Sequence, residues 1–216
     1  MSWIVLAALA YLIGSMPFGK WLAQRAADVD IRQCGSGNVG ATNVAREVGL
    51  GWGVLTLLLD GLKGLVPVVS ARWSQPDCDA CLAVIALMAL LGHQFSVFLR
   101  FRGGKGVATA MGAFVAIAPL PAVAGVALFL LLVFTSGFVS VGSLGAMGVM
   151  PIFLWWSGQG GELVGTSVVM TCLIWVRHRK NIERLACGNE LGWRKGDFTS
   201  ADRGVGPGHH RSSKRS

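Results

Sequence analysis

The stretch 107–134, VATAMGAFVAIAPLPAVAGVALFLLLVF, decides the fold, because its 28 residues contain no charge and are too long for one upright membrane crossing. As a straight helix they would run about 42 Å, against a hydrocarbon core of about 30 Å. Pro119-Leu120-Pro121 interrupts the run, and proline both lacks a donor and clashes with the preceding helical turn. The stretch is therefore two segments, the first of them short.

Four apolar segments lie outside it on clear grounds: Trp3 to Leu22, Gly51 to Ala71, Ala80 to Leu99, and Val139 to Trp156. A fifth, Gly161 to Val176, follows the break Ser157-Gly158-Gln159-Gly160. Trp3 and Trp21 bracket the first of these and Trp52 and Trp73 the second, as indoles do at the two membrane interfaces. The first cation, Lys20, falls at the far end of the first segment, the reverse of the order in a cleaved signal peptide, so a retained span is expected.

Charge sets the orientation. Of 19 Lys+Arg, ten lie between Arg177 and Ser216, and none lies between Gly106 and Val176. Six spans would leave that cationic tail on the same side as the amino terminus, outside. An odd count, seven in preference to five, puts Lys20, the linker 23–49, the loop 100–106 and the tail on one side, with 17 of the 19 cations. The positive-inside rule makes that side cytoplasmic. The expectation is an all-α, polytopic helix bundle with seven transmembrane segments, two of them short, its N-terminus outside and its C-terminus in the cytoplasm. Residues 1–190 form the membrane domain, and 191–216 read as a disordered basic tail.

The composition agrees. Of 216 residues 53% are hydrophobic and 14% charged, whereas soluble domains carry about 25% charged residues. The net charge of +8 would suggest nucleic acid in a soluble protein. Here the cations form flanks and a tail, not a stripe across a folded face, so no nucleic-acid partner is expected.

Thirty glycines serve mostly for close helix packing. Three polar, cation-bearing clusters do not fit that role. In the first, Gly35-Ser36-Gly37-Asn38-Val39-Gly40-Ala41-Thr42-Asn43-Val44-Ala45-Arg46, Gly37 and Gly40 supply turns and N–H groups. Ser36, Asn38, Thr42 and Asn43 add hydroxyls and amides, and Arg46 adds a planar donor suited to phosphate. In the second, Arg100-Phe101-Arg102-Gly103-Gly104-Lys105-Gly106 enters an apolar helix. It fails the G-x-x-x-x-G-K-[ST] pattern, so nucleotide hydrolysis is not expected, but Gly103, Gly104, Lys105 and Gly106 at a helix start suit an anion.

The third cluster is Arg177-His178-Arg179-Lys180-Asn181-Ile182-Glu183-Arg184-Leu185-Ala186-Cys187-Gly188-Asn189-Glu190. If helical, it places His178 and Asn181 on one face with Arg177 nearby. The surrounding cations should keep His178 neutral and able to accept a proton. Within the spans, Asp60 and Lys63 are expected to pair, His93 approaches the second cluster, and Ser140 and Ser143 stand near the start of the sixth span. Cys78 and Cys81 could form a disulfide in an external loop. No metal site or cofactor is expected, since no other Cys/His pair is suitably spaced.

Taken in order, Ser36-Gly37-Asn38-x-Gly40-Ala41-Thr42-Asn43-x-x-Arg46, Gly103-Gly104-Lys105-Gly106-Val107-Ala108-Thr109, and Arg177-His178-x-x-Asn181-Ile182-x-Arg184-Leu185 with Gly188 and Glu190 resemble the three motifs of the bacterial acyl-phosphate:glycerol-3-phosphate acyltransferases, the integral-membrane PlsY type. The resemblance covers residues 3 to about 190. It departs at Ser136, where arginine is common, and at Ala45, where a larger apolar residue is.

The resemblance implies a multi-pass protein of the bacterial inner membrane that takes part in phospholipid synthesis. Its reaction would be transfer of a fatty acyl group from acyl phosphate to the 1-hydroxyl of glycerol 3-phosphate, with lysophosphatidic acid and phosphate as products. Ser36, Arg46, Lys105, Ser143 and Asn181 would bind phosphates and the developing oxyanion, and His178 would position or deprotonate the hydroxyl. Gly37, Asn38, Gly40, Thr42, Asn43, Gly103, Gly104, Gly106 and Arg177 would complete the substrate site. A transporter of a phosphorylated solute is the alternative, but it calls for repeated halves and polar groups at mid-membrane. A CDP-alcohol phosphotransferase would need several aspartates. The His-x4-Asp acyltransferase pattern is absent, because Phe98 follows His93 and Glu183 follows His178 at that spacing.

Overall fold

The computed structural model describes residues 3–74 and 77–193, and among them every regular element is helical. In chain order the helices are α1 (Trp3–Ser15), α2 (Phe18–Ala27), α3 (Ala41–Glu47), α4 (Leu50–Ser74), α5 (Asp79–Gln94), α6 (Val107–Ile117), α7 (Pro119–Ser136), α8 (Val139–Trp156), α9 (Gly161–Arg177) and α10 (Arg179–Ala186). Five stretches are long and apolar enough to cross a membrane: Trp3–Ala27, Leu50–Ser74, Asp79–Leu99, Pro119–Ser136 and Val139–Trp156. The 11-residue α6 and the 17-residue α9 are shorter.

The proline logic holds at 107–134. Helix α6 ends at Ile117, and Ala118 turns the chain (φ −146°, ψ 86°) into Pro119 at the first position of α7, where a missing N–H costs nothing. Arg72 at the end of α4 donates to the carbonyls of Ala116 and Ile117 at 2.8 and 2.9 Å, capping the end of α6. The first apolar run, expected as one span, stands among the five as Trp3–Ala27, but it is not one continuous helix. It breaks at Met16–Pro17 between α1 and α2. Apolar residues on both sides of Pro17 conceal the break in a hydropathy reading.

Helix α4 packs against α1, α2, α3, α5 and α6, and the more buried α5 packs against α1, α4, α6 and α9. The seam of α5 with α1 is made by small residues. A side chain at Gly14 would collide with the carbonyl of Ala89, and one at Gly92 with that of Tyr11, so both glycines permit backbone contact. Large apolar side chains such as Trp3, Leu57, Leu58, Leu120, Leu131, Trp155 and Val176 are exposed on the outside, the arrangement of a bundle whose solvent is lipid. Cys78 and Cys81 are disulfide-bonded at the start of α5.

Candidate active site

The first cluster folds around one side chain. Asn43 is buried, and its Nδ2 lies 3.1, 3.0 and 2.9 Å from the carbonyls of Ile31, Cys34 and Asn38, while its Oδ1 accepts from the Ser36 N–H at 3.0 Å. The turn also bonds Gly37 N–H to the Cys34 carbonyl at 2.9 Å. Asn43 therefore holds the loop shape, and Ser36 projects from the loop.

The second cluster folds back into the bundle. Gly103 and Gly104 donate their N–H groups to the carbonyls of Gln94 and His93, both at 3.1 Å. The buried Gln94 side chain donates to the Lys105 carbonyl at 2.8 Å. This corrects the expectation that these two glycine N–H groups cradle an anion, since protein carbonyls already hold them. The glycines are needed for closeness instead. A Cβ at Gly103 would strike the His93 carbonyl, and one at Gly104 the His93 ring. The inward fold also accounts for the shortness of α6, because irregular backbone at membrane depth is tolerated where protein surrounds it or a cavity adjoins it.

Arg177 takes part in the same construction. Its guanidinium donates to the carbonyls of Gln94 and Gly103 and lies 5.0 Å from the centre of the Phe95 ring. It does not line the cavity described next, so it braces the loop. Arg100 and Arg102 point elsewhere again, lining a separate depression with Lys20 and Arg32.

The third cluster is helical as expected, but with a joint. His178 (φ −93°, ψ 2°) ends α9 and begins α10. Its buried ring donates from Nδ1 to the Ile174 carbonyl at 2.8 Å. A carbonyl can only accept, so Nε2 carries the lone pair. Burial, then the charge of Lys105, pushes the His178 pKa down to about 4, overcoming the opposing pull of the Ile174 bond and Glu190. The expected neutrality is thus present, with burial its larger cause.

Glu190 knits the site together. Its carboxylate accepts from Asn181 Nδ2 at 2.6 Å and Arg184 Nε at 2.8 Å. Burial alone would raise its pKa, but hydrogen bonds from Asn181 and Arg184, the nearby Ser140 hydroxyl and the Arg184 charge outweigh that and hold it below the ordinary value. Glu190 has no role in the sequence reading beyond motif membership, because its partners come together only on folding. Arg46 reaches the following residues, donating from one Nη to the carbonyls of Leu191 and Gly192 at 2.8 and 3.1 Å. Trp193 anchors that strap on α7, with its N–H on Gly137, its indole N–H on Val133 and its ring against Phe134. The rest of the expected basic tail, 194–216, lies outside the described residues.

These parts enclose a cavity of about 650 Å³. One end is polar, lined by Ser36, Asn38, Gly40, Thr42, Asn43, Arg46, Lys105, Gly106, Ser140, Ser143, His178, Asn181 and Glu190. Burial lowers the Lys105 pKa to about 8, with Arg184 and Arg46 adding to the effect and Glu190 opposing it. The Ser143 hydroxyl donates to the Val139 carbonyl of its own helix at 2.9 Å, leaving its oxygen lone pairs toward the cavity. The other end is apolar, walled by Leu57, Leu58, Leu62 and Leu65 of α4, Met111 and Val115 of α6, and Val126, Phe129 and Leu130 of α7. Several of these wall residues are also exposed on the outer surface, so the groove opens toward lipid. Among the described residues no three His, Cys, Asp or Glu side chains group as metal ligands.

A bundle whose cationic, hydroxyl-lined chamber runs into a lipid-facing apolar groove is a membrane protein built for molecules with an anionic head and a greasy tail. The profile of the glycerol-3-phosphate acyltransferase family matches residues 4–188. A glycerol-3-phosphate acyltransferase of Geobacter sulfurreducens is 47% identical over 187 residues, covering 87% of this chain and 95% of the relative. One from Desulfotalea psychrophila is 44% identical over 190 residues, covering 87% and 96%. Crystal structures of PlsY (YgiH), an integral membrane glycerol 3-phosphate acyltransferase, are similar throughout. The glycerol 3-phosphate form has a TM-score of 0.86 at 40% identity, covering 89% of this chain and 96% of that one. The lysophosphatidic acid form has a TM-score of 0.85 at 38% identity, covering 92% and 98%. The chain belongs to the glycerol-3-phosphate acyltransferase family and is an integral-membrane acyltransferase.

Proposed function

We propose that this protein transfers a fatty acyl group from acyl phosphate to the 1-hydroxyl of glycerol 3-phosphate, releasing phosphate and lysophosphatidic acid. The observation that carries this reading is the single cavity that joins a cationic chamber holding Arg46 and Lys105 to an apolar groove between α4, α6 and α7. Two phosphate-bearing substrates require more than one cationic group, and an acyl chain requires the groove. The forms in which PlsY was crystallised, with glycerol 3-phosphate and with lysophosphatidic acid, fit a substrate and a product of this reaction.

In this reading Arg46 and Lys105 hold phosphates, with Ser36, Asn38, Gly40, Thr42, Gly106, Ser143 and Asn181 completing the contacts. Asn43, Gly37, Gly103, Gly104 and Arg177 shape the loops that carry them. A mixed anhydride is already activated, so positioning and a proton acceptor suffice. His178 offers Nε2 to the glycerol hydroxyl. With a pKa of about 4, taking the proton outright at pH 7 would cost about 4 kcal/mol. A phosphate ester, with its second pKa near 6, is the stronger acceptor. His178 therefore orients the hydroxyl, and the proton ends on phosphate. His178→Ala should lower turnover at saturating substrates by about a hundredfold, the scale of lost alignment; unchanged turnover would remove the histidine from the reaction.

The topology follows from the same assignment. We infer seven crossings in the bacterial inner membrane, with the amino terminus outside and the cavity mouth in the cytoplasm, because the cation-rich segments that build the mouth obey the positive-inside rule together. Reconstituted protein tests the activity against transport. Acyl transfer in detergent without glycerol 3-phosphate uptake into liposomes supports the enzyme; uptake without transfer would contradict it.

A further inference from the structure

Beneath the Gly103–Gly106 loop lies a buried polar group that the proposed mechanism leaves unused: Asp60 and Lys63 of α4, His93 of α5 and Thr109 of α6. An ammonium has three protons, and Lys63 has three acceptors for them. Its Nζ lies 2.7 Å from Asp60 Oδ1, 2.8 Å from the Met16 carbonyl and 3.1 Å from His93 Nδ1. Since Lys63 can only donate, Nδ1 of His93 is an acceptor and the ring proton sits on Nε2. Thr109 also approaches Nδ1, at 3.2 Å, but its one proton has the nearer Asp60 carbonyl at 2.9 Å. Asp60 balances the Lys63 charge, so the pair fixes a neutral imidazole in one tautomer.

The other edge of that ring faces the site. Nε2 lies against Gly104, where any side chain would collide with it. No acceptor for it occurs among the described residues, and His93 lines the cavity. The ring touches Gly104, next to Lys105 in the loop, and Thr109 near the start of α6, so it sits where the loop that carries Lys105 gives way to a helix that walls the groove. This is the junction at which the head and the chain of an acyl phosphate would meet.

We propose that the Nε2–H of His93 contacts the acyl phosphate, donating a hydrogen bond to its carbonyl oxygen and holding the negative charge that gathers there when the glycerol hydroxyl attacks. The proposal rests on the acyl-transfer reading above. As the bond from glycerol oxygen to carbonyl carbon forms, the carbonyl π pair moves onto oxygen. Collapse restores the carbonyl and breaks the bond to phosphate, which leaves with the hydroxyl proton. His93 keeps its own proton throughout. Asp60 and Lys63 are positioning residues that act through it.

Steady-state kinetics of the purified protein with acyl phosphate and glycerol 3-phosphate test this in wild type, His93→Gln and His93→Phe. Gln keeps an N–H near the Nε2 position and Phe keeps only the ring shape. The expected result is a kcat about 10²–10³-fold lower in His93→Phe, the usual effect of losing an oxyanion donor, with the glycerol 3-phosphate KM unchanged and His93→Gln within about tenfold of wild type. Equal losses in both variants, or a change confined to that KM, would overturn the proposal while leaving acyl transfer intact. An inert wild type would overturn both. If His93→Phe does not fold, nitrogen-15 NMR of the wild type decides. An Nε2-protonated His93 whose signal shifts on adding an acyl phosphonate supports the contact; an unprotonated Nε2 or an unmoved signal rejects it.

Discussion

The two glycine-rich loops look alike in sequence and are built on different principles. The loop before α3 is organised from within, by the one buried side chain of Asn43 reaching three carbonyls and an N–H. The loop before α6 is organised from outside, by the main chain of residues 93 and 94, the Gln94 amide and the Arg177 guanidinium. In both, glycine shapes the path, and side chains carried at the edge, Ser36 and Arg46 from one and Lys105 from the other, line the cavity. Glycine-rich sequence beside a cation thus does not say whether the glycine N–H groups are left open, since those of Gly103 and Gly104 are taken by protein carbonyls.

The largest effect should come from Gly104→Ala. Its Cβ would drive into the buried His93 ring, and the displaced loop should lower kcat/KM by at least about a hundredfold. Near-normal activity would show that the loop is free to shift and would erase the contrast with the first loop. Next is Asn43→Ala, which strands the buried groups it now joins. A loss of about 2–3 kcal/mol in stability is expected, read as a lower Tm in detergent and accompanied by a higher glycerol 3-phosphate KM. An unchanged Tm would mean that the first loop does not depend on a single internal brace.

Lysine 105 gives a pH test of the second loop. Below a pKa of about 8 it is charged, and above it the cation is lost. The glycerol 3-phosphate KM of the wild type should therefore rise severalfold between pH 8 and about 9.5, within reach of this shifted lysine but short of its ordinary value near 10.4. Lys105→Arg should remove that rise, since guanidinium stays protonated there. A wild-type KM flat over the same range would take Lys105 out of phosphate binding. The smallest effect is expected from Trp193→Ala, which frees the strap whose carbonyls hold Arg46. A KM change of about two- to tenfold corresponds to one ordinary hydrogen bond; no change would make the strap a bystander.

How much of this was legible depended on whether the cause was local. Pro119 and Pro121, and Ser157 to Gly160, mark helix ends by their own chemistry, so the breaks at α6/α7 and α8/α9 can be read directly. Pro17 carried the same signal within a run too apolar for hydropathy to register it. The Asp60–Lys63 pair follows from helical spacing and the cost of unpaired charge in a membrane. The cavity-lining side chains Ser36, Arg46, Lys105, Ser143, His178 and Asn181 stand out because polar groups are scarce. Spacing along the chain does not show where the N–H groups of Gly103 and Gly104 point, that Arg177 spends its guanidinium on the main chain, or that Glu190 joins Asn181 to Arg184. Each depends on which segments meet in space.

In the proposed reaction one cavity receives acyl phosphate and glycerol 3-phosphate together. Its most direct test gives the purified protein radiolabelled glycerol 3-phosphate with either acyl phosphate or an acyl thioester, measuring lysophosphatidic acid and free phosphate in the same samples. Equimolar lysophosphatidic acid and phosphate are expected with acyl phosphate, and neither with the thioester. Lysophosphatidic acid from the thioester, with acyl phosphate left intact, would contradict that reaction.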